Sequence, residues 1–146
     1  MPRELARLRP GEADAFFASH EREALKTFYA FSVIWHEQTH DVAVMEDGAI
    51  AGALRLRIAA SLGHVERAIV APEHRRRGIG RALLASAENW ARTAGMHRLQ
   101  LKVITHNGPA IALYESCGFV REGTLKNHLK LNTGLVDQHF MAKLLT

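Results

Sequence analysis

The chain has 146 residues, of which 47% are apolar and 23% are charged, and its formal net charge is +4 at pH 7. This length and composition are typical of one globular domain with its own hydrophobic core, so we expect residues 1–146 to form a single domain. The mild positive charge favours an acidic small-molecule ligand and is too small for a protein that coats nucleic acid.

The cysteine count and the apolar runs limit the compartment and the class of protein. Cys117 is the only cysteine, so no internal disulfide can form. No apolar run approaches the roughly 18 to 20 residues of a membrane span or follows a basic signal-peptide region. We therefore expect a cytoplasmic protein that binds neither a membrane nor nucleic acid.

Strand and helix patterns alternate along the chain and are separated by short turns. Strands are predicted at residues 3–10, 41–46, 49–60, 64–71, 98–104, 119–132 and 135–145, and helices within residues 12–35, 78–94 and 107–117. Residues 12–35 can hold one or two helices. Asp47 and Gly48 accept the positive φ angles of a tight hairpin turn. The fold class is therefore α/β (α+β), with a mixed, mostly antiparallel central sheet of about six to seven strands flanked by about four helices.

A cluster of basic residues and glycines lies in APEHRRRGIGRALL, residues 71–84, where a strand ends at Pro72 and a helix begins near Gly78. The first N–H groups of that helix have no backbone partner, the helix dipole favours negative charge, and glycines let a phosphate approach the backbone. Arginine side chains add charge-assisted hydrogen bonds. The four arginines are Arg75, Arg76, Arg77 and Arg81. We expect a pyrophosphate to bind here.

The two common nucleotide-binding loops are absent from this stretch. The sequence has no G-x-x-x-x-G-K-[ST], and no G-x-G-x-x-G with an acidic ribose partner at the right distance. Another phosphate ligand is therefore required. A solvated basic helix start is the alternative for an isolated R-x-x-G-x-G, because short motifs have high false-positive rates.

Two motifs together resemble the GCN5-related N-acetyltransferase (GNAT) superfamily. Residues 70–81, VAPEHRRRGIGR, are similar to its acetyl-CoA pyrophosphate loop, and residues 107–119, NGPAIALYESCGF, are similar to its motif N-x-x-A-x-x-L-Y-x-x-x-G-F. The resemblance covers residues 64–119 closely. It implies a GNAT-like fold and an acetyltransferase that moves an acetyl group from acetyl-CoA to a primary amine by direct attack.

The resemblance also implies the place of the cosubstrate and the residues that hold it. Acetyl-CoA would lie in a V-shaped opening between the strands at residues 64–71 and 98–104, where an N–H near Val70 would polarise the thioester carbonyl. Asn107 would hydrogen-bond the pantetheine, and Tyr114 would protonate the departing CoA thiolate. The implied cofactor-binding residues are Ala68, Ile69, Val70, Arg75, Arg76, Arg77, Gly78, Ile79, Gly80, Arg81, Asn107, Ala110 and Tyr114. No metal is expected.

Glu66 is the candidate general base. A lysine-like amine with a pKa of about 10.4 needs roughly 4–5 kcal/mol to lose its proton at pH 7, so a carboxylate nearby matters for such an acceptor. Strand alternation predicts that Glu66 shares a face with His64 and Ala68, unless a bulge interrupts the strand. A surface carboxylate paired with Arg67 or with another neighbour is the alternative reading of Glu66, and water as the base also stays open.

Lys102 marks a departure from part of the family. Some members carry a glutamate five residues ahead of the asparagine of the second motif, and this chain has Lys102 there. The protein N-terminal substrate of that subgroup is therefore not carried over. The acceptor amine is unknown, and a homodimer is left open as the oligomeric state.

HEQTH, residues 36–40, matches the H-E-x-x-H motif of zinc metalloproteases. The motif runs directly into the strand-like residues 41–46, and Ala43 and Glu46 stand where the extended motif has glycine and histidine. A zinc hydrolase is therefore the third hypothesis. The second is a non-catalytic module that binds or senses acyl-CoA, and the first is the N-acetyltransferase.

Overall fold

The computed structural model of the chain describes residues 6–20, 38–59 and 61–146. The chain divides into two compact units, Met1–Ile34 and Trp35–Thr146. In the first unit, residues 14–20 are helical and are called α1. The elements of the second unit are β1 (Gln38–Glu46), β2 (Ala49–Ala59), β3 (Leu62–Val70), a 3-10 helix (Pro72–His74), α2 (Ile79–Thr93), β4 (Arg98–Ile104), α3 (Gly108–Ser116), β5 (Val120–Leu131) and β6 (Gly134–Leu144).

The strand predicted at residues 3–10 is wrong in its described part, because residues 6–9 have no strand structure and a turn follows them. The Arg9 backbone N–H donates to the Glu12 carboxylate at 2.6 Å, and its guanidinium donates to the same carboxylate at 2.8 and 2.9 Å. These hydrogen bonds occupy the Arg9 backbone N–H, which in a strand would donate to a neighbouring strand. The described residues therefore hold six strands and three α-helices, where about four helices were predicted.

The six strands form one sheet in the order β1-β2-β3-β4-β6-β5. Every pairing is antiparallel except that of β3 with β4, which confirms the mixed, mostly antiparallel sheet. The predicted hairpin turn is confirmed as well, since Asp47 and Gly48 have φ angles of 50° and 77°. Two consecutive positive φ angles are typical of the tight turn that matches strand twist.

The parallel pairing of β3 with β4 is short, and β3 carries a bulge where the pairing ends. The partners run from Leu62 and Arg98 to Val65 and Leu101, so residues 66–70 and 102–104 lie beyond the last pair. On its other side, β3 pairs with β2 across a register shift: Leu56 lies opposite Val65 and Arg55 lies opposite Arg67. Glu66 is therefore the extra residue of a β-bulge, and such an insertion bends its strand locally.

The hydrophobic core lies between α2 and one face of the sheet. The fully buried side chains of the sheet include Leu54, Leu56, Leu99, Leu101 and Met141. α2 buries Ile79, Leu83, Leu84, Ala87 and Ala91, which confirms the helical periodicity predicted from Gly78 onward. α2 ends before Gly95, which has a φ of 78°. Within the described ranges, no helix has the length and apolarity needed to cross a membrane.

Candidate active site

A cavity of about 660 Å³ lies where the end of β3, the start of α2 and the start of α3 meet. Its volume is within the range of small-molecule sites in proteins. It is lined by Val70, His74, Arg75, Arg76, Gly78, Ile79, Gly80, Arg81, Pro109, Ala110 and Leu113. The structure thus gathers most of the residues predicted to bind pyrophosphate around one space, together with Ala110 of the second motif.

The backbone at the start of α2 offers unpaired donors to this cavity. Gly78, the residue before the helix, has a φ of 78° and no side chain caps the helix at this position. The N–H of Ala82 donates to the Gly78 carbonyl at 3.0 Å, so the N–H groups of residues 79–81 precede the first hydrogen bond of the helix. Arg76 also has a positive φ, 65°, which turns the chain tightly just before the helix. This end of α2 is suited to an anion.

Gly80 keeps α2 and α3 close together. A Cβ atom at Gly80 would lie 2.9 Å from Cδ2 of Leu113, closer than real Cβ contacts. The absence of a side chain therefore serves the packing of the two helices as well as the approach of a ligand to the backbone. Sequence reasoning missed Leu113, Pro109 and His74 as lining residues, although Leu113 and Pro109 lie within the second motif.

The arginines of the loop divide into those that line the cavity and one that does not. Arg76 lines it and has no ion pair with any residue that the structure describes. Arg81 also lines it, and its Nη2 donates to Oγ of Ser116 at 3.0 Å. Arg75 lines it while its Nε donates to the Val70 carbonyl at 3.2 Å. These contacts hold the guanidinium groups beside the start of α2.

Arg77 points elsewhere, to the end of β1. Its Nη1 donates to Oε2 of Glu46 at 2.8 Å, and it is not among the residues that line the cavity. Nδ1 of His74 lies 2.7 Å from the same carboxylate oxygen but lacks the geometry of a hydrogen bond. Glu46 thus ties the loop to β1, a contact that no sequence motif indicates.

Asn107 caps α3. Its side-chain Oδ1 accepts a hydrogen bond from the Ala110 N–H at 3.3 Å, which is the usual role of asparagine at a helix start.

Ala68 and Ile69, like Asn107, do not line the cavity. Ala68 and Ile69 lie on the part of β3 beyond its last pair with β4, where no described strand pairs with the edge that faces β4.

Tyr114 lies on α3 with its ring against the core. The centroids of the Tyr114 and Phe119 rings are 6.0 Å apart, and Tyr114 packs against the buried cluster that Phe119 belongs to. Burial raises the pKa of Tyr114 above its ordinary value of 10.0. The phenol therefore stays protonated at neutral pH, as a proton donor must.

Glu66 lies on the face of His64 but not on the face of Ala68. Ala68 lies opposite Leu54 and packs against the core, whereas His64 lies opposite Arg57 on the other face. The prediction that Glu66 shares a face with both residues is therefore wrong, because the bulge at Glu66 interrupts the alternation. Nε of Arg57 donates to Oε1 of Glu66 at 2.6 Å, so the carboxylate belongs to the polar face with His64.

The polar neighbourhood of Glu66 also acts on His64. Burial lowers the pKa of His64, and the positive charges of Arg57 and Lys102 lower it further, while Glu66 acts in the opposite direction. His64 is therefore neutral at pH 7. Near the point where β3 and β4 separate lie two cations, Arg57 and Lys102, together with the His64 imidazole and the Glu66 carboxylate.

The described part of the HEQTH motif is strand and not the helix that its zinc chemistry requires. His36 and Glu37 lie outside the described residues, but residues 38–40 belong to β1. The centroids of the His40 and Trp90 rings are 4.4 Å apart. No group of three or more histidine, cysteine, aspartate or glutamate side chains in the described part of the chain could hold a metal ion.

The chain is similar to acetyltransferases in sequence and in structure. Residues 5–119 match the acetyltransferase (GNAT) family. The chain is 31% identical over 122 residues to spermidine N(1)-acetyltransferase of Vibrio cholerae serotype O1, covering 75% of this chain and 69% of that protein. It is 38% identical over 73 residues to the [ribosomal protein bS18]-alanine N-acetyltransferase of Escherichia coli, where the match spans about half of each chain, 50% and 49%.

A solved structure agrees with the sequence matches. The crystal structure of the ribosomal-protein-S18-alanine N-acetyltransferase from Escherichia coli superimposes with a TM-score of 0.70 at 26% identity, covering 97% of this chain and 92% of that chain. The similarity extends over the β3 to α3 region, which carries both motifs.

Proposed function

Because the chain belongs to the acetyltransferase (GNAT) family, whose enzymes use acetyl-CoA, we propose that it acetylates the primary amine of a small molecule or peptide. The observation that supports this most directly is the cavity at the start of α2, where backbone donors and arginines converge on the space expected for a pyrophosphate. We propose that it works in the cytoplasm and that residues 1–146 act as one acetyltransferase domain. Release of free CoA in the presence of acetyl-CoA and a panel of amines is the direct test.

The proposed donor site follows the elements around the cavity. The pyrophosphate takes the N–H groups of Gly80 and Arg81 and the guanidinium of Arg76. The pantetheine arm runs along residues 68–70, whose edge toward β4 is paired with no strand that the structure describes. Arg77 adds positive charge from a distance, since Glu46 holds its guanidinium.

The proposed reaction is a direct acetyl transfer. The neutral amine nitrogen attacks the thioester carbonyl carbon, the C–N bond forms, and the C–S bond breaks. Tyr114 donates its phenolic proton to the CoA sulfur, and Glu66 takes the proton that the amine loses. A thiol with a pKa of about 8.5 and a phenol with a pKa of about 10 are close enough for transfer within one hydrogen bond.

The role of Glu66 can be tested through the pH dependence of the rate. Glu66→Gln is expected to lower kcat/KM by roughly 10²-fold near pH 7, the usual scale of general-base catalysis. The loss is expected to shrink as the pH approaches the pKa of the acceptor amine, which then loses its proton unaided. The measurement is kcat/KM from pH 6.5 to 10.

Two control variants separate the base from its surroundings. Arg57→Gln removes the 2.6 Å contact but keeps the Glu66 carboxylate, so it is expected to cost less than Glu66→Gln. His64→Gln removes the neutral imidazole on the same face. A larger neutral-pH loss in His64→Gln than in Glu66→Gln would transfer the role of base to His64, and no loss in either variant would assign it to water.

The phosphates of the donor predict a salt dependence. Acetyl-CoA is expected to bind more weakly as the salt concentration rises from 50 to 500 mM, since exposed ion pairs are screened within a Debye length of about 10 Å at 0.1 M. Dephospho-CoA is expected to bind less tightly than CoA if a surface cation contacts the 3′-phosphate. Equal affinities for the two, measured by calorimetry, would show that solvent surrounds this phosphate.

A further inference from the structure

Arginine and lysine side chains occupy the face of the sheet opposite α2 and α3. Alternation along each strand places them there, because their neighbours Leu54, Leu56, Leu101 and Val103 are buried in the core on the α2 side. The bulge at Glu66 brings Arg67 to the same face, opposite Arg55. The cations of this face, called the basic face here, are Arg55, Arg57, Arg67, Arg98 and Lys102.

Some of these cations are already neutralised by acidic partners. Arg55 pairs with Asp41 at 2.8 Å, Arg57 pairs with Glu66 at 2.6 Å, and Arg98 pairs with Glu122. The Arg55 guanidinium holds the pKa of Asp41 below its ordinary value, so this carboxylate is ionised at neutral pH. The charges of these three pairs cancel locally.

Arg67 and Lys102 differ from the other cations of the basic face. Both are exposed, and neither forms an ion pair with a residue that the structure describes, although the charge of Arg67 also helps to lower the pKa of Asp41, which Arg55 already binds. Arg67 lies two residues beyond the last β3 pair at Val65, and Lys102 lies one residue beyond the last β4 pair at Leu101. These two side chains, which form no ion pair with a described residue, therefore lie on opposite sides of the opening between β3 and β4.

The position of this opening makes these charges relevant to the acceptor. α2 and α3 cover the other face of the sheet, and the donor cavity takes up the space between them. An acetyl group at the end of the pantetheine arm would lie between β3 and β4. An amine therefore reaches it from the basic face, past Arg67 and Lys102.

On the basis of the proposed function, we propose that the acceptor is a small amine with a carboxylate next to the reacting nitrogen, as in a free amino acid. Arg67 and Lys102 bind the carboxylate from the two sides of the opening. A guanidinium suits a carboxylate because it can donate two parallel hydrogen bonds. A polyamine meets like charge at the same place and is disfavoured. This departs from the relative whose name specifies spermidine.

Matched acceptors test this inference. Free L-amino acids are compared with their C-terminal amides, and spermidine is added as a polycation. CoA release is measured with the full chain, and rates are compared at equal concentrations of neutral amine. We expect kcat/KM for the acids to exceed that for the amides by about 10- to 100-fold, the scale of one or two hydrogen bonds to a charged group.

Variants of Arg67 and Lys102 identify the source of the preference. Arg67→Gln and Lys102→Gln are each expected to reduce the ratio of acid to amide kcat/KM by about 10-fold. Lys130→Gln, a change of the same charge at an exposed position of β5, is expected to leave the ratio unchanged. A rise in melting temperature with acetyl-CoA shows that each variant is folded and binds its donor.

The outcomes separate this inference from the function on which it rests. Amides or spermidine acetylated as fast as the acids would overturn the carboxylate preference and leave the acetyltransferase intact. An unchanged ratio in both Arg67→Gln and Lys102→Gln would overturn the assignment of the two residues. If no amine releases CoA although acetyl-CoA stabilises the chain, the acetyltransferase itself fails.

Discussion

Acetyl-CoA is expected to raise the melting temperature of the chain, and Arg76→Glu is expected to remove most of that rise. A ligand at a concentration 100 times its Kd adds about 2.7 kcal/mol to the free energy of unfolding. For a chain of this size that corresponds to a shift of roughly 5–10 °C. The variant places a carboxylate where we propose that the phosphate binds, so repulsion would replace a charge-assisted hydrogen bond. Thermal unfolding with and without acetyl-CoA measures the effect.

Three further variants make this result specific. Arg76→Gly removes the guanidinium without adding negative charge and suits the φ of 65°, so part of the shift is expected to remain. Arg121→Glu makes the same change of charge on β5 and is expected to keep the full shift. The Gly80→Glu variant is also expected to lose most of the rise in melting temperature that acetyl-CoA causes. Full shifts in both Arg76→Glu and Gly80→Glu would place the pyrophosphate elsewhere.

Gly80→Glu also changes the packing of the protein without ligand. Any side chain at this position meets Leu113, since a Cβ would lie 2.9 Å from its Cδ2. The melting temperature without acetyl-CoA is therefore expected to fall in both Gly80→Ala and Gly80→Glu. If the rise in melting temperature with acetyl-CoA is smaller in Gly80→Glu than in Gly80→Ala, the difference measures the effect of the added negative charge.

Local signals in the sequence were sufficient for much of this fold. The Asp47–Gly48 turn and the face of α2 were predicted correctly because each depends on φ preferences or on a helical period over neighbouring residues. Most of the residues that line the cavity at the start of α2 were predicted for a related reason, although His74, Pro109 and Leu113 were missed. The predicted residues lie in two short continuous motifs, so their chemistry could be recognised before the helices were known to meet.

Features that depend on register between strands or on a particular side-chain contact could not be predicted from the local pattern. The bulge at Glu66 arises from the register between β2 and β3, and no residue within β3 signals it. The ion pair of Arg77 joins the loop to Glu46, a residue 31 positions earlier in the chain. Residues 6–9 alternate like a strand, but Glu12 binds the Arg9 backbone and the chain turns there. In each case a tertiary or turn contact outweighs the local pattern.

Tyr114→Phe is expected to lower kcat by about 10²- to 10⁴-fold, the usual contribution of a general acid, while leaving the fold and the affinity for acetyl-CoA intact. The substitution removes one hydroxyl, which has no hydrogen bond to another described residue, and it keeps the ring packed against Phe119. No buried partner is left unsatisfied, so the stability is expected to change little. The thermal shift with acetyl-CoA is the control for binding.

The raised pKa of Tyr114 adds a pH signature to this prediction. A general acid is active while it is protonated and loses activity as the pH rises through its pKa, and burial moves that pKa above 10.0. The wild-type rate is therefore expected to show no alkaline loss from Tyr114 below about pH 10. If Tyr114→Phe retains full kcat, Tyr114 is not the acid, and Cys117→Ala then decides between the nearby thiol and solvent. If donor binding persists in a chain that acetylates no amine, a protein that only senses acyl-CoA replaces the enzyme.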